Sequence, residues 1–123
     1  MYRSVVLWVL LCSNVLAHEM TPTYPKWSVS AIEGVKKTTM TMFNSRKDVQ
    51  FYEIGVFNKL WEPIPFVTSY RILKVDYLSV VNFDVYIREQ NIKDTEYICS
   101  LSKLRENGTN LTMMATKICS RFK

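Results

Sequence analysis

The residues that could do chemistry lie near the end of the chain. Cys99 and Cys119 are 20 residues apart (119 minus 99), and a bridge between them would stabilise the fold by about 3 kcal/mol on the chain-entropy model. Two acceptors for N-linked glycans, Asn107-Gly108-Thr109 and Asn110-Leu111-Thr112, lie between the cysteines. A disulfide and glycosylation sites together are typical of a secreted protein, because disulfides persist in oxidising compartments.

Residues that could catalyse a reaction are scarce. The only histidine is His18, so neither a His-based triad nor a His-containing metal site is expected. Asp84 and Glu89 could pair for acid–base chemistry, although their place on a half-buried strand favours solvated side chains. The chain has only three glycines and no glycine-rich phosphate loop. We therefore predict that the protein is not an enzyme and has no cofactor and no metal ion.

Aromatic residues offer another kind of site. Trp61 and the many tyrosines and phenylalanines could line a ligand groove, although such residues more often form the core. The net charge of +5 is dispersed, since Lys36-Lys37 and Arg46-Lys47 are the only adjacent basic pairs. A nucleic-acid partner is not expected, because a protein that binds nucleic acid usually concentrates its positive charge on one surface. An acidic or membrane-surface partner is the alternative to simple solvated faces.

The N-terminal segment predicts that the protein is secreted. Arg3 precedes the apolar run Val5–Leu11, and Val15-Leu16-Ala17 is a small-residue cleavage site. This pattern is typical of a signal peptide over residues 1–17. The alternative is a membrane anchor, but the run is shorter than the roughly 20 residues needed to span a bilayer. We predict a secreted, extracellular domain over residues 18–123, with no transmembrane segment.

The elements that must position these residues are predicted from periodicity. Tyr97, Cys99 and Leu101 alternate with polar residues, and Asn107-Gly108 suits a tight type I′ turn. The sequence therefore predicts a closing hairpin with both cysteines on one face. Before it, the alternation from Val81 to Ile87 predicts a half-buried strand.

The earlier half of the chain is predicted to begin with a helix. Ser30 and Glu33 fit a capping box, and apolar residues recur at helical spacing afterwards, which predicts a helix over 31–44. Aromatic and branched residues over 48–61, the proline-containing break that follows and residues 67–78 predict two further strands. One helix followed by antiparallel strands indicates an α+β fold.

This order of motifs resembles the cystatin family. The helix would end on the aromatic-Asn pair Phe43-Asn44, and two cysteines would flank the last hairpin. Tyr70–Val75 and Asp84–Ile87 resemble the second and third strands of secreted cystatins. The resemblance implies a curved antiparallel β-sheet wrapped around one long α-helix. It also implies inhibition of papain-like cysteine proteases as the family function.

The inhibitory motifs of cystatins are missing from this sequence. The first-hairpin loop of the family would correspond to the degenerate segment Asp76, Tyr77, Leu78, Ser79 and Val80, and the second to Asn107-Gly108. The sequence thus resembles divergent cystatin-related proteins of the reproductive tract, and we expect protease inhibition to be weak or lost. The expected role is extracellular binding or regulation of an unknown protein. The alternatives are an inhibitor that uses other loops and a basic host-defence protein.

Overall fold

The structure is a β-sandwich of two antiparallel sheets. The computed structural model describes residues 18–103 and 115–122. Within these ranges the elements are β1 (Glu19–Thr21), β2 (Ser28–Val29), β3 (Val35–Phe43), β4 (Phe51–Phe57), β5 (Ile72–Lys74), β6 (Val80–Arg88), α1 (Glu89–Ile92), β7 (Tyr97–Lys103) and β8 (Lys117–Arg121). The first sheet contains β1, β2, β3 and β6, and the second has the order β5-β4-β7-β8.

The long strand β3 organises the first sheet. Along its whole length β3 pairs with β6, from Val35 opposite Arg88 to Phe43 opposite Val80. The short strands β1 and β2 pair with separate parts of β3. Because β6 occupies one edge of β3 along its whole length, β1 and β2 both lie along the opposite edge of β3.

The core lies between the inner faces of the two sheets. Alternate residues of β3, β4 and β6 are buried there, as the two-residue period of a strand requires. The buried apolar residues of these three strands are Met40, Met42, Tyr52, Ile54, Val56, Phe83, Val85 and Ile87. Leu73 and Ile98 add the contributions of β5 and β7. The alternation predicted from Val81 to Ile87 is thus confirmed as the centre of β6.

The predicted helix over 31–44 is wrong, because most of this segment is strand β3. The hydroxyl of Ser30 accepts a hydrogen bond from the Ile32 N–H and donates to the Val35 carbonyl, so it closes a turn rather than capping a helix. Gly34 has a φ of +75° in that turn. The threonines and Val35 that follow are β-branched and lose side-chain freedom in a helix, whereas a strand accommodates them.

The predicted α+β fold is therefore also wrong. Among the described residues the only helix is α1, a single turn of four residues. A cystatin fold needs a long helix for its sheet to wrap around, and here a second sheet occupies that position. No helix in the described ranges is long and apolar enough to cross a bilayer.

The two strands predicted over 48–61 and 67–78 are shorter in the structure. β4 ends at Phe57 because the following residues form a turn, in which the Asn58 side-chain oxygen accepts from the Leu60 and Glu62 N–H groups. Only Ile72–Lys74 of the second segment pairs with β4. Val67, earlier in that segment, pairs with Tyr86 of the first sheet instead. The chain thus passes from one sheet to the other between these positions.

The closing hairpin brings the two cysteines together. β7 and β8 are antiparallel with Cys99 directly opposite Cys119, and a disulfide joins the two residues. Cys99 shares the outer face of the second sheet with Leu101, since Ile98 and Ser100 face the core. The predicted turn at Asn107-Gly108 and both glycosylation sites, Asn107 and Asn110, lie outside the described residues.

Candidate functional site

The histidine lies in the interior of the sandwich. The side chain of His18 is 1% exposed, and its ring centroid lies 4.4 Å from that of Tyr52. Its Nε2 lies 2.7 Å from the Ser100 Oγ, and its Nδ1 lies 3.2 Å from the Thr116 Oγ1. Burial lowers the pKa of His18 to about 4, opposed by the hydrogen bond to Ser100 and assisted by the charge of Arg46. A neutral, buried ring of this kind has a structural role.

A second group of buried polar residues adjoins the histidine. The Tyr52 hydroxyl donates a 2.6 Å hydrogen bond to the Asn44 Oδ1, and burial raises the pKa of Tyr52 to about 12. The Asn44 Nδ2 donates to the carbonyls of Val49 and Val75. These bonds connect the ends of β3, β4 and β5. They satisfy the buried polar groups that would otherwise destabilise the core.

The two acids considered for acid–base chemistry have separate partners. Asp84 accepts a hydrogen bond from the Thr39 hydroxyl on the outer face of the first sheet. The Glu89 carboxylate lies 3.7 Å from the Lys36 Nζ. The two carboxylates therefore do not form an acid–base pair. As a separate matter, no three histidine, cysteine, aspartate or glutamate residues in the described ranges are grouped to hold a metal ion.

Trp61 forms a surface cluster on the second sheet rather than part of the core. It is 49% exposed, and its ring is stacked on that of Tyr97 at a centroid distance of 4.1 Å. The Lys117 Nζ lies 4.6 Å from the centroid of Trp61 and 4.9 Å from that of Phe57. Trp61 has a φ of +63°, an unfavourable value for a bulky residue. Its N–H donates to the Asn58 carbonyl, which helps to hold this conformation.

The segment from Val67 to Val80 is rich in exposed apolar side chains. Among the described residues, six of the twelve exposed large apolar side chains belong to it, and each is between 41% and 69% exposed. They are Val67, Tyr70, Ile72, Tyr77, Leu78 and Val80. In the segment Asp76–Val80, which the cystatin resemblance placed in an inhibitory loop, the first four residues belong to the connection between β5 and β6, and Val80 begins β6. Sequence analysis thus singled out this segment, but for a different reason.

The backbone of β6 is open along the same edge of the sandwich. Hydrogen bonds from the Asn44 N–H to the Ser79 carbonyl and from the Glu89 N–H to the Gly34 carbonyl define which residues of β6 face β3. Because facing alternates along an antiparallel strand, the N–H and C=O groups of Val80, Asn82 and Asp84 point away from β3. No described residue pairs with these backbone groups.

The open edge results from the passage of the chain between the two sheets. Val67 exchanges two hydrogen bonds with Tyr86, of 2.9 and 2.8 Å, and covers that end of β6. The chain then leaves for the second sheet, so the rest of the β6 edge has no neighbouring strand. We define the open edge as Val80, Asn82 and Asp84. Nothing in the one-dimensional pattern of apolar residues indicates such an edge, because it depends on where a distant segment pairs.

The β5–β6 connection is held in one conformation beside this edge. Its Ser79 N–H donates to the Asp76 carbonyl, and the Leu78 N–H donates a 2.7 Å hydrogen bond to the Asn44 carbonyl. Leu78 has a φ of +60°. An apolar residue in this left-handed conformation costs about 1 kcal/mol, and such strain is often found at functional sites.

Comparison with known proteins shows likeness in structure but not in sequence. No family model and no curated protein matches the chain. One similar structure is that of the Salmonella enterica SafA pilin in complex with the SafB chaperone, with a TM-score of 0.64 and 12% identity; the match covers 89% of this chain and 54% of that one. Another is the E. coli chaperone DraB, with a TM-score of 0.63 and 14% identity, covering 87% of this chain and 53% of that one.

These similarities show the fold alone. Both neighbours are structures of pilus chaperones, whose fold is an immunoglobulin-like β-sandwich. The present chain spans about half the length of each matched chain. The cystatin resemblance is therefore wrong, and the protease-inhibitor description that followed from it loses its support. The motifs behind it were local ones, and a shared order of local motifs does not specify which strands pair.

Proposed function

We propose that this protein is an extracellular binding protein that takes an extended segment of a protein partner along the open edge. The observation that carries the proposal is the set of outward-facing backbone groups of Val80, Asn82 and Asp84. A sheet edge with unpaired N–H and C=O groups is a template for another strand. In β-strand addition, backbone hydrogen bonds supply affinity and alternate side chains supply specificity.

The surroundings of the edge support a protein ligand. The exposed apolar side chains of Tyr77, Leu78 and Val80, just before and at the start of β6, would contact alternate side chains of an added strand. The Lys74 Nζ lies 3.8 Å from the Asp76 Oδ1, so a pair of opposite charges adjoins Tyr77 and Leu78 in the chain. Thr68 contributes a buried hydroxyl without a hydrogen-bond partner among the described residues. An apolar centre with a polar border is typical of protein interfaces.

The structural neighbours agree with this class of function. One of them is described as a chaperone in complex with a pilin, which is a protein ligand. For the present chain the partner remains a proposal, since the identity is 12% and the match covers about half of that chain. The predicted signal peptide, the disulfide and the glycosylation sites support an extracellular location.

Proline substitution at the open edge tests the proposal. Short random peptides are displayed and selected on the purified wild-type protein, and the enriched peptides are measured by calorimetry. Asn82→Pro removes an N–H group that points away from β3, so the pairing of the first sheet is retained. We expect peptide affinity to fall at least about tenfold, because an added strand loses a hydrogen bond and meets the proline ring.

The matched control is Asn82→Ala. Both variants lose the 2.7 Å hydrogen bond that the Thr41 hydroxyl donates to the Asn82 Oδ1, but only the proline variant loses the N–H. The alanine variant should bind like the wild type. Val80→Pro, at the first residue of β6, is a second variant if Asn82→Pro does not fold. Failure to enrich any peptide, or equal binding by the proline and alanine variants, would overturn the proposal.

A further inference from the structure

A second surface lies at the opposite end of β6 from the β5–β6 connection. It is a groove of about 600 Å³ on the outer face of the first sheet, where α1 follows β6. Its apolar wall includes Ile32, Val35, Phe66 and Val67. Grooves of this size accommodate small organic ligands.

The apolar wall is both exposed and preformed. Ile32 is 60% exposed and Val67 is 68% exposed, so both apolar side chains are in contact with water. Ile32 is held in the turn that the Ser30 hydroxyl closes, and Val67 is held by its two backbone hydrogen bonds to Tyr86. A ligand would therefore find the wall already in place, which reduces the entropy lost on binding.

Among the residues that line the groove, only Arg88 is charged. A second cation lies beside its wall, since the Arg71 Cζ is 5.0 Å from the ring centroid of Phe66. Arg88 lines the groove at the α1 end, is exposed, and has no carboxylate partner within the described ranges. The adjacent carboxylate, Glu89, forms its ion pair with Lys36. Gln90 and Asn91 line the same end of the groove, so its polar side chains are gathered beside Arg88. The groove thus combines an apolar wall with a cationic end.

We propose that this groove binds a long-chain carboxylate amphiphile of the fatty-acid class. Its alkyl chain would lie on Ile32, Phe66 and Val67, and its carboxylate would pair with Arg88. A peptide fits less well, because its backbone amides would lie against an apolar wall that offers no hydrogen bonds. This inference is independent of the proposed function. The groove uses the side chain of Val67, whereas the backbone of Val67 closes the β6 edge between the two sites.

Fluorescence titration with cis-parinarate, a fatty acid that becomes fluorescent in apolar surroundings, tests this proposal. The wild-type protein should show saturable binding below the micelle concentration. Val67→Glu should weaken binding at least about tenfold, because it places a charge on the apolar wall. Ile32→Glu is a second variant at an exposed position. Equal binding by the wild type and both glutamate variants, or no saturable binding, would overturn the proposal.

The headgroup assignment is tested with a second pair of variants. Arg88→Gln should weaken parinarate binding about five- to tenfold, since hydrogen bonds to charged groups are the stronger ones. The inhibition constant of palmitate, corrected for the weaker binding of parinarate, should rise in this variant, whereas that of its methyl ester should be the same in both proteins. Arg121→Gln is the control, because Arg121 is an exposed cation of the other sheet that pairs with Glu96. A loss as large in the control would overturn the assignment of the carboxylate to Arg88.

Discussion

The His18 Nε2 lies 2.7 Å from the Ser100 Oγ, and this buried contact joins the two sheets. His18 immediately precedes β1 of the first sheet, and Ser100 lies in β7 of the second, 82 residues later in the chain. Thr116 approaches the other ring nitrogen from the segment before β8. The arrangement excludes water from the ring, and a buried imidazole is disfavoured in its charged form.

The stability of the protein should therefore fall in mild acid. The folded-state pKa of His18, about 4, lies below its ordinary value of 6.5, so the unfolded chain binds a proton first as the pH falls. The free energy of unfolding should decrease between pH 6.5 and 4, by up to about 3 kcal/mol. Thermal melting across this range measures the effect. His18→Gln removes the only histidine, and a variant that kept the full slope between pH 6.5 and 5 would contradict the assignment.

Asn44→Ala should be among the most destabilising single substitutions. The Asn44 side chain is fully buried, donates to the carbonyls of Val49 and Val75, and accepts from the Arg46 N–H and the Tyr52 hydroxyl. We expect a loss of about 3 kcal/mol or more in urea unfolding, because several buried groups lose their partners together. Tyr52→Phe removes one of these bonds and should cost about 1 kcal/mol. Equal losses in the two variants would argue against a shared network.

Removal of the disulfide should destabilise the fold without changing it. The double substitution Cys99→Ala and Cys119→Ala opens a loop of 20 residues, which corresponds to about 3 kcal/mol on the chain-entropy model. Denaturant unfolding compares the variant with the wild type. Peptide mass mapping after alkylation without reductant tests the bond itself, and alkylated thiols at Cys99 and Cys119 would contradict it.

Gly55→Ala should disturb the cluster around Trp61. A Cβ at position 55 would lie 2.8 Å from the Cε2 of Phe57, so the ring would have to move away from its contact with Lys117. We expect a loss of about 1 kcal/mol. In a Phe57→Ala background the same substitution should cost nearly nothing, and a double-mutant cycle measures this difference. Additive losses would show that the ring does not limit position 55.

Leu78→Asn should stabilise the protein. Asparagine tolerates the φ of +60° better than leucine, so we expect a gain of about 0.5–1 kcal/mol in thermal unfolding. Leu78 is 59% exposed, so little packing is lost. The control is Tyr77→Asn, at a neighbouring residue without a positive φ. If Tyr77→Asn raises the free energy of unfolding as much as Leu78→Asn or more, relief of backbone strain does not explain the effect.

The sequence by itself determined the features that depend on neighbouring residues. The alternation from Val81 to Ile87 predicted the central strand β6, and the same period placed Cys99 and Leu101 on one face. These predictions succeeded because a half-buried strand must alternate, and because a local pattern records which face meets the core.

Only the tertiary structure decided the pairing of distant segments. Residues 31–44 carry apolar side chains that suit both a helical and a two-residue period, and pairing with β6, from Val35 opposite Arg88 onward, selects the strand. The same long-range pairing buries His18 beside Ser100 and leaves Asn82 on an open edge. Such contacts are absent from local periodicity, because the free energy of a sheet depends on partners that the chain brings together only on folding.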